Sequence, residues 1–479
     1  MNETVITEMK RVLDLQKHSQ IKEGPPSLEL RLDRIDRCIA MVKKYEKRII
    51  KSLQEDFGNR DPIMSVMTEV ESSVGSLKHA KKHIKRWTRS DKRAPEVPGL
   101  GSLISLLGAK AWIEYQPKGT VGVISPWNFP VNLILMPLAG IFAAGNRTMI
   151  KPSEMTSSIS SLLEEMFKEF YDEAEAAVFT GDPEIGAAFS SLPFDHLIFT
   201  GGTEIAKHVM RAASDNLVPL TLELGGKSPV IVGESADVSK VARRVMVGKT
   251  MNAGQICLAP DYALIPKNKI DSFVEESKKV ISSMFPSIKD NEDYTSIINQ
   301  KHYERIQSYI DDAESKGAEV IEINPSEEDF GQQEHHKIPP TLILNPTEDM
   351  KIMQEEIFGP VLPIKSSDEL QESIDYVNSK ERPLGLYYFG EDKKEQDHVL
   401  KTTVSGGVTL NDVIWHVGQE NLPFGGIGPS GMGSYHGEEG FKEFSHAKSI
   451  YKQPNLDLMK LAGFVPPYKK KAEKTSSTS

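Results

Sequence analysis

The alternation of apolar and polar positions changes rhythm near residue 119. Upstream, apolar residues recur at helical spacing. Pro25-Pro26-Ser27 reads as a stop followed by an N-cap, and Leu28, Leu32, Ile35, Ile39 and Val42 follow at steps of four and three. This predicts one face of a long helix, with Cys38 on that face as a buried core cysteine. Residues 63–87 read as a second helix of the same kind. Downstream, short apolar runs alternate with helical segments. The order is TVGVIS, helix 131–144, RTMIK, helix 157–170, AAVFT, helix 184–190, HLIFT, helix 204–213 and LTLEL. Such alternation predicts a parallel sheet covered by helices on its faces. A second series opens at SPVIVGE and runs through helices 237–251 and 269–284 to strands at PTLILN and PVLPI. The expected fold class is α/β, with two doubly wound parallel-sheet domains in series. Residues 94–117 are punctuated by Pro and Gly and turn strand-like at their end, which predicts an arm beside the core.

Composition narrows the function classes. At 479 residues, with 39% hydrophobic and 26% charged positions, the chain exceeds the size of a single core. The net charge of −11 argues against non-specific nucleic-acid binding. The two cysteines, Cys38 and Cys257, provide neither a disulfide framework nor metal-ligand spacing, so no metal is expected and the usage fits a reducing, cytoplasmic setting. The N-terminus lacks the apolar core of a signal peptide. The most apolar stretch, 131–145, is shorter than the roughly 20 residues of a membrane span and carries Asn132 and Pro137, so it is expected to be a buried helix. The charged, Ser/Thr-rich end, 466–479, is expected to be a flexible tail.

Candidate chemistry is concentrated in a few short stretches. Cys257 sits in GQIC, after the small residues Ala253 and Gly254. Alone it reads either as an inert cysteine or as a nucleophile. Glu223 ends the apolar run LTLE and precedes Gly225-Gly226. A carboxylate there is either a structural cap or a general base with a raised pKa. In SPWNFP, two prolines fix a turn that presents Trp127 and Asn128. The Asn128 amide either closes an Asx turn or donates to a developing oxyanion. Lys151 and Glu154, in IKPSE, fall at the carboxyl edge of a strand, where doubly wound sheets bind ligands. FTGGT, with Gly202, is strand, glycine turn and helix start, an arrangement that aims backbone N–H groups at a pyrophosphate. EEIFGP, 355–360, and the glycine-dense 422–446 complete the set.

In this order, SPWNFP, IKPSE, FTGGT, LELGGKSP, GQIC, EEIFGP, LPFGGIGPSGMG and YHGEEGFKEFSH resemble the aldehyde dehydrogenase superfamily over about residues 25–455. RPLGLYYF and the YHG…FSH ending look most like its class 3 branch, and within it the bacterial coniferyl aldehyde dehydrogenases. The resemblance implies a dinucleotide-binding domain at 1–98 and 118–224, a catalytic domain at 225–410, and bridging segments at 99–117 and 411–455 that make a homodimer. It implies NAD, with NADP also possible, and a small aldehyde as substrate. It assigns Cys257 as nucleophile, Asn128 with the Cys257 N–H as oxyanion donors, and Glu223 as the base that releases the acid. Lys151 and Glu154 would hold the adenine ribose, Gly202 would lie at the pyrophosphate, and Glu356, Phe358 and Trp127 at the nicotinamide end. Gly202 stands where many relatives carry serine and Ala206 where a glycine is common, which bears on cofactor pose. Two alternatives compete with this reading. Transfer of the acyl group to coenzyme A needs no water-activating base, and Glu223 counts against it. A catalytically silent protein would have no reason to keep Cys257, Glu223, Asn128 and Lys151 together. No histidine is placed by any of these motifs to pair with Cys257.

Overall fold

A computed structural model describes residues 2–96, 102–461 and 464–467. The expected tail, 466–479, therefore lies almost wholly outside the described residues.

The first helical pattern becomes the helix Leu28–Phe57, whose first-turn Leu30 amide donates to the Ser27 hydroxyl at 3.3 Å. Ile35, Cys38, Met41, Val42, Ile49 and Leu53 are all fully buried along one side. Burial pushes the Cys38 thiol up to about 12, so it is an inert core residue. The second pattern is interrupted. A short helix, Pro62–Ser65, leads into a π turn, Val66–Glu71, before the helix Ser72–Trp87. The N-terminal helix Asn2–Glu23 was not foreseen. Its contact with the core rests on Met9, Val12, Leu13 and a polar residue, Gln16, which donates to the Thr148 and Glu173 carbonyls at 2.9 and 2.8 Å.

Each strand–helix series builds a parallel sheet. Five parallel strands, in the order Leu220–Glu223, His196–Thr200, Thr120–Ile124, Arg147–Lys151 and Ala176–Val178, are joined at one edge by an antiparallel strand, Gly431–Met432. Side chains alternate between its two faces. Val121, Val123, Ile150 and Ile198 enter one core, while Met149, Leu197, Phe199 and Leu222 enter another. The apolar stretch 131–145 is the buried helix Asn132–Ala144. The second sheet has seven strands, in the order Glu319–Glu322, Thr341–Leu344, Val361–Ser366, Tyr262–Ile265, Pro229–Val232, Gly385–Phe389 and Gly407–Leu410. Only the first of these is antiparallel to its neighbour. Burial on both faces explains the uninterrupted apolar runs in the sequence.

The strand-like end of 94–117 is the strand Lys110–Pro117. It pairs antiparallel with Ser445–Lys452 from Pro117↔Ser445 to Lys110↔Lys452, and with the short strand Asp91–Arg93 on its other side. This three-stranded sheet is separate from both parallel sheets. Among the described residues, no helix is long and apolar enough to cross a membrane, and no cluster of His, Cys, Asp and Glu is arranged to hold a metal.

Candidate active site

The carboxyl ends of first-sheet strands face a cavity of about 240 Å³, whose opposite wall comes from residues that precede the second-sheet strands Tyr262–Ile265 and Val361–Ser366. From the first sheet it receives Trp127, Asn128, Gly202 and Glu223, and from the second part of the chain Cys257, Glu356 and Phe358. Lys151 and Glu154 do not line it. Lys151 ends the strand Arg147–Lys151 and Glu154 follows it, with the lysine Nζ 3.4 Å from the Glu154 carboxylate and donating to the Pro152 carbonyl at 2.8 Å. The lysine is buried and Glu154 is exposed.

Cys257 is brought into the cavity by an unusual turn. Asn252, Ala253 and Gly254 all have positive φ, at 50°, 51° and 73°, a conformation unfavourable for the first two. Only glycine fits the third position, because a Cβ there would sit 2.3 Å from the Gly359 carbonyl oxygen. Gln255 braces the turn, donating to the Asn252 and Ser296 carbonyls at 2.9 and 3.0 Å and accepting from the Ile298 amide at 3.0 Å. The thiol is partly exposed, and burial, then the carboxylates of Glu356 and Glu223, push its pKa up to about 12. Without a bound positive charge or a base, the sulfur stays protonated at neutral pH.

Glu223 is buried at the end of its strand, and neither carboxylate oxygen has a hydrogen-bond partner among the described residues. Its pKa is raised well above the usual value, first by desolvation and then by the like charge of Glu443. Glu443 is anchored by the Thr221 hydroxyl at 2.7 Å. Asn128 is buried, and its side-chain amide donates to the Gln255 carbonyl at 3.1 Å, two residues before the sulfur. A side-chain amide has a second N–H to offer.

Glu356 is partly exposed, and burial followed by the charge of Asp261 raises its pKa to about 8. A side chain at Gly225 would meet its carboxylate at 2.3 Å, so the glycine permits this close approach. The loop carrying Glu356 and Phe358 is pinned by charged groups. Arg305 donates to the Ile357 carbonyl at 2.9 Å, the Ile357 amide donates to Asp261 at 3.0 Å, and Lys227, ion-paired with Asp261, donates to the Ile352 and Glu355 carbonyls. Trp127 packs against Phe358 edge-on at 5.4 Å and against His302 at 5.2 Å.

His302 and Arg305, from the helix Gln300–Ser315, line the cavity although no motif announced them. A histidine therefore does reach the site. Burial, then the charges of Arg305 and Lys301, lower its pKa to about 4, so it is neutral and carries no proton to donate as an acid near pH 7. Its only sequence signal was one polar position in a helix with no motif.

The residues present fit a dinucleotide. The helix Thr203–Ser214 begins at the cavity with Gly202 as an N-cap that makes no side-chain hydrogen bond, and the space over the Gly202 Cα is open. Ala206 is turned into the core.

Residues 25–450 match the model of the Aldehyde dehydrogenase family. The chain is 52% identical over 459 residues to the coniferyl aldehyde dehydrogenase of a Pseudomonas species, covering 96% of this chain and 94% of that one. It is similar to a substrate-bound AldH of Staphylococcus aureus, with a TM-score of 0.88, 34% identity and 98% of both chains covered. It is also similar to a Mycobacterium tuberculosis aldehyde dehydrogenase complexed with NAD+, with a TM-score of 0.82, 25% identity and 94% and 91% of the chains covered. A cavity that gathers a thiol, a sealed carboxylate and an uncapped helix start agrees with these similarities: this chain belongs to the aldehyde dehydrogenase family and is an NAD(P)-dependent enzyme that oxidises aldehydes to carboxylic acids.

Proposed function

We propose that the enzyme oxidises a hydroxycinnamyl-type aromatic aldehyde, of which coniferyl aldehyde is the model, with NAD as the preferred cofactor and Cys257 as the nucleophile. The observation that carries the mechanism is the convergence of Cys257, Asn128 and Glu223 on one cavity. The substrate class rests on the similarity to the Pseudomonas coniferyl aldehyde dehydrogenase.

Ionised Glu223 takes the Cys257 thiol proton and passes it to solvent, and the resulting thiolate attacks the aldehyde carbon, giving a thiohemiacetal. The Asn128 amide and the Cys257 backbone N–H hold the oxygen as charge develops on it. Bound nicotinamide supplies the hydride acceptor. Lys151 and Glu154 would hold the adenine ribose, Gly202 and the amides after it the pyrophosphate, and Glu356, Phe358 and Trp127 the nicotinamide end. With Glu154 on the ribose hydroxyls, a 2′-phosphate there would meet like charge, which would favour NAD over NADP. Oxidation turns the thiohemiacetal into a thioester. Glu223 takes a proton from water, the water oxygen bonds to the acyl carbon, and the carbon–sulfur bond breaks. The acid leaves and Cys257 is restored.

In this reading 1–98 with 118–224 is the cofactor domain, and 225–410 is the catalytic domain. The segments 99–117 and 411–455, which supply the paired strands Lys110–Pro117 and Ser445–Lys452, form the bridge of a cytoplasmic homodimer. A panel of aromatic and aliphatic aldehydes with NAD or NADP, followed at the nicotinamide absorbance, tests the whole proposal. Coniferyl aldehyde with NAD should show the highest kcat/KM, and Cys257→Ala should abolish turnover while leaving NAD binding intact. Turnover by the alanine variant would refute the nucleophile. A strict need for coenzyme A would replace hydrolysis by acyl transfer, and a fatty-aldehyde or NADP preference would displace the substrate or cofactor assignment.

A further inference from the structure

The loop that carries Asn128 is gripped by a buried ion pair that the reaction above does not use. The Arg60 and Glu69 side chains are fully buried and 2.9 Å apart. Each has a second task. Arg60 donates to the Asn128 carbonyl at 3.0 Å. The other Glu69 oxygen accepts from the Val131 and Asn132 amides at 3.0 and 2.8 Å, at the opening of the helix Asn132–Ala144. The guanidinium lies over the rings of Phe57 and Phe129, and Ser72 takes the Asn132 side chain at 2.7 Å. From the other side, the Asn128 amide reaches the Gln255 carbonyl, and Asn252 donates to the Asn128 carbonyl at 3.3 Å.

Burying two ions is costly, and an apolar pair of similar volume would fill the same space without desolvation. An apolar pair could not donate to one carbonyl and accept two amides in fixed geometry. A planar guanidinium fork and a carboxylate can. Glu69 lies inside the π turn Val66–Glu71, an irregularity that recurs at functional positions in helices. We propose that Arg60 and Glu69 are positioning residues of this active site, fixing the Trp127–Asn132 loop so that the Asn128 amide meets the substrate oxygen. The proposal rests on the oxyanion role given to Asn128 above.

The test is a double-mutant cycle between Arg60→Lys and Asn128→Ala, read as kcat and KM for aldehyde oxidation with NAD. Arg60→Lys keeps the charge and loses the fork. It should lower kcat by about 10- to 100-fold with little change in KM, the scale expected for a displaced catalytic group. Alkylation of Cys257 by iodoacetamide should keep its wild-type rate, since the sulfur has not moved. In the Asn128→Ala background the same substitution should cost less than about twofold, because no amide is left to aim. Glu69→Gln, run through the same cycle, covers the case in which Arg60→Lys does not fold. Unchanged kcat in the folded variant, or a loss that persists in full without the Asn128 amide, overturns the clamp and leaves the oxyanion role standing. Normal kcat in Asn128→Ala instead overturns the oxyanion role, and the clamp with it.

Discussion

Both oxygens of Glu223 are buried without a partner among the described residues, so its ionised form turns to a guest water. That isolation is useful in a base, because it raises proton affinity toward working pH. Glu443, half-exposed and held by Thr221, adds like charge, and the Cys257 and Tyr435 groups also sense Glu223. Glu223 accepts a proton only when ionised, so acid release should rise with pH through its elevated folded pKa. Glu443→Gln should move that rise to lower pH, measured as the acid limb of the steady-state rate. Glu223→Gln should slow release by about 100- to 10,000-fold, the span of general-base catalysis, so that a burst of reduced cofactor precedes a slow steady state. Linkage adds a stability consequence. A carboxyl with a raised folded pKa favours folding while protonated, so its contribution falls as pH climbs from the ordinary carboxylate range through the folded value.

At the scale of elements, the two loops that meet beside the sulfur are both built from left-handed backbone. One is Asn252–Gly254, and the other contains Phe358 at φ 49°. A left-handed non-glycine residue costs about 1–3 kcal/mol, so the surrounding hydrogen bonds must hold it in place. Gly254→Ala should cost at least about that much, because it adds a Cβ against the Gly359 carbonyl as well as strain. The expected outcome is a lower unfolding temperature together with reduced kcat, since relief of the clash pushes the Glu356–Phe358 loop away. A variant that matched wild type in both thermal unfolding and kcat would show that the two loops are not held in this contact. The sequence flagged the small residues at 253 and 254 and the catalytic candidates around them. It did not reveal the braces. Gln255, Arg305, Lys227 and Asp261 act through backbone carbonyls and amides far away in the chain, and such pairings leave no periodic trace. The π turn likewise hid behind an ordinary helical pattern in 63–87.

Over the whole molecule, the first parallel sheet was legible, and the second in Pro229–Val232, Thr341–Leu344 and Val361–Ser366, because strands buried on two faces must be apolar throughout and the intervening helices keep a 3.6-residue period. Tyr262–Ile265, Gly385–Phe389 and Gly407–Leu410 went unread as strands. Less legible were the edges and the start. The antiparallel strands Glu319–Glu322 and Gly431–Met432 are short and lack a continuous apolar run, and the helix Asn2–Glu23 docks through few apolar residues and a buried glutamine. Lys151 and Glu154 were anticipated at a sheet edge and are found there, outside the cavity wall that gathers the other candidates. This division between sheets has a mechanical corollary. The carboxylate rides on one slab and the sulfur on another, while Gly225 and Gly226 form the joint in the chain between them. Gentle heating that loosens how the slabs seat together should silence turnover before either one melts. Residual activity should therefore decay at a lower temperature than the far-ultraviolet dichroism, and coincident decay would mean that the slabs part only when they unfold.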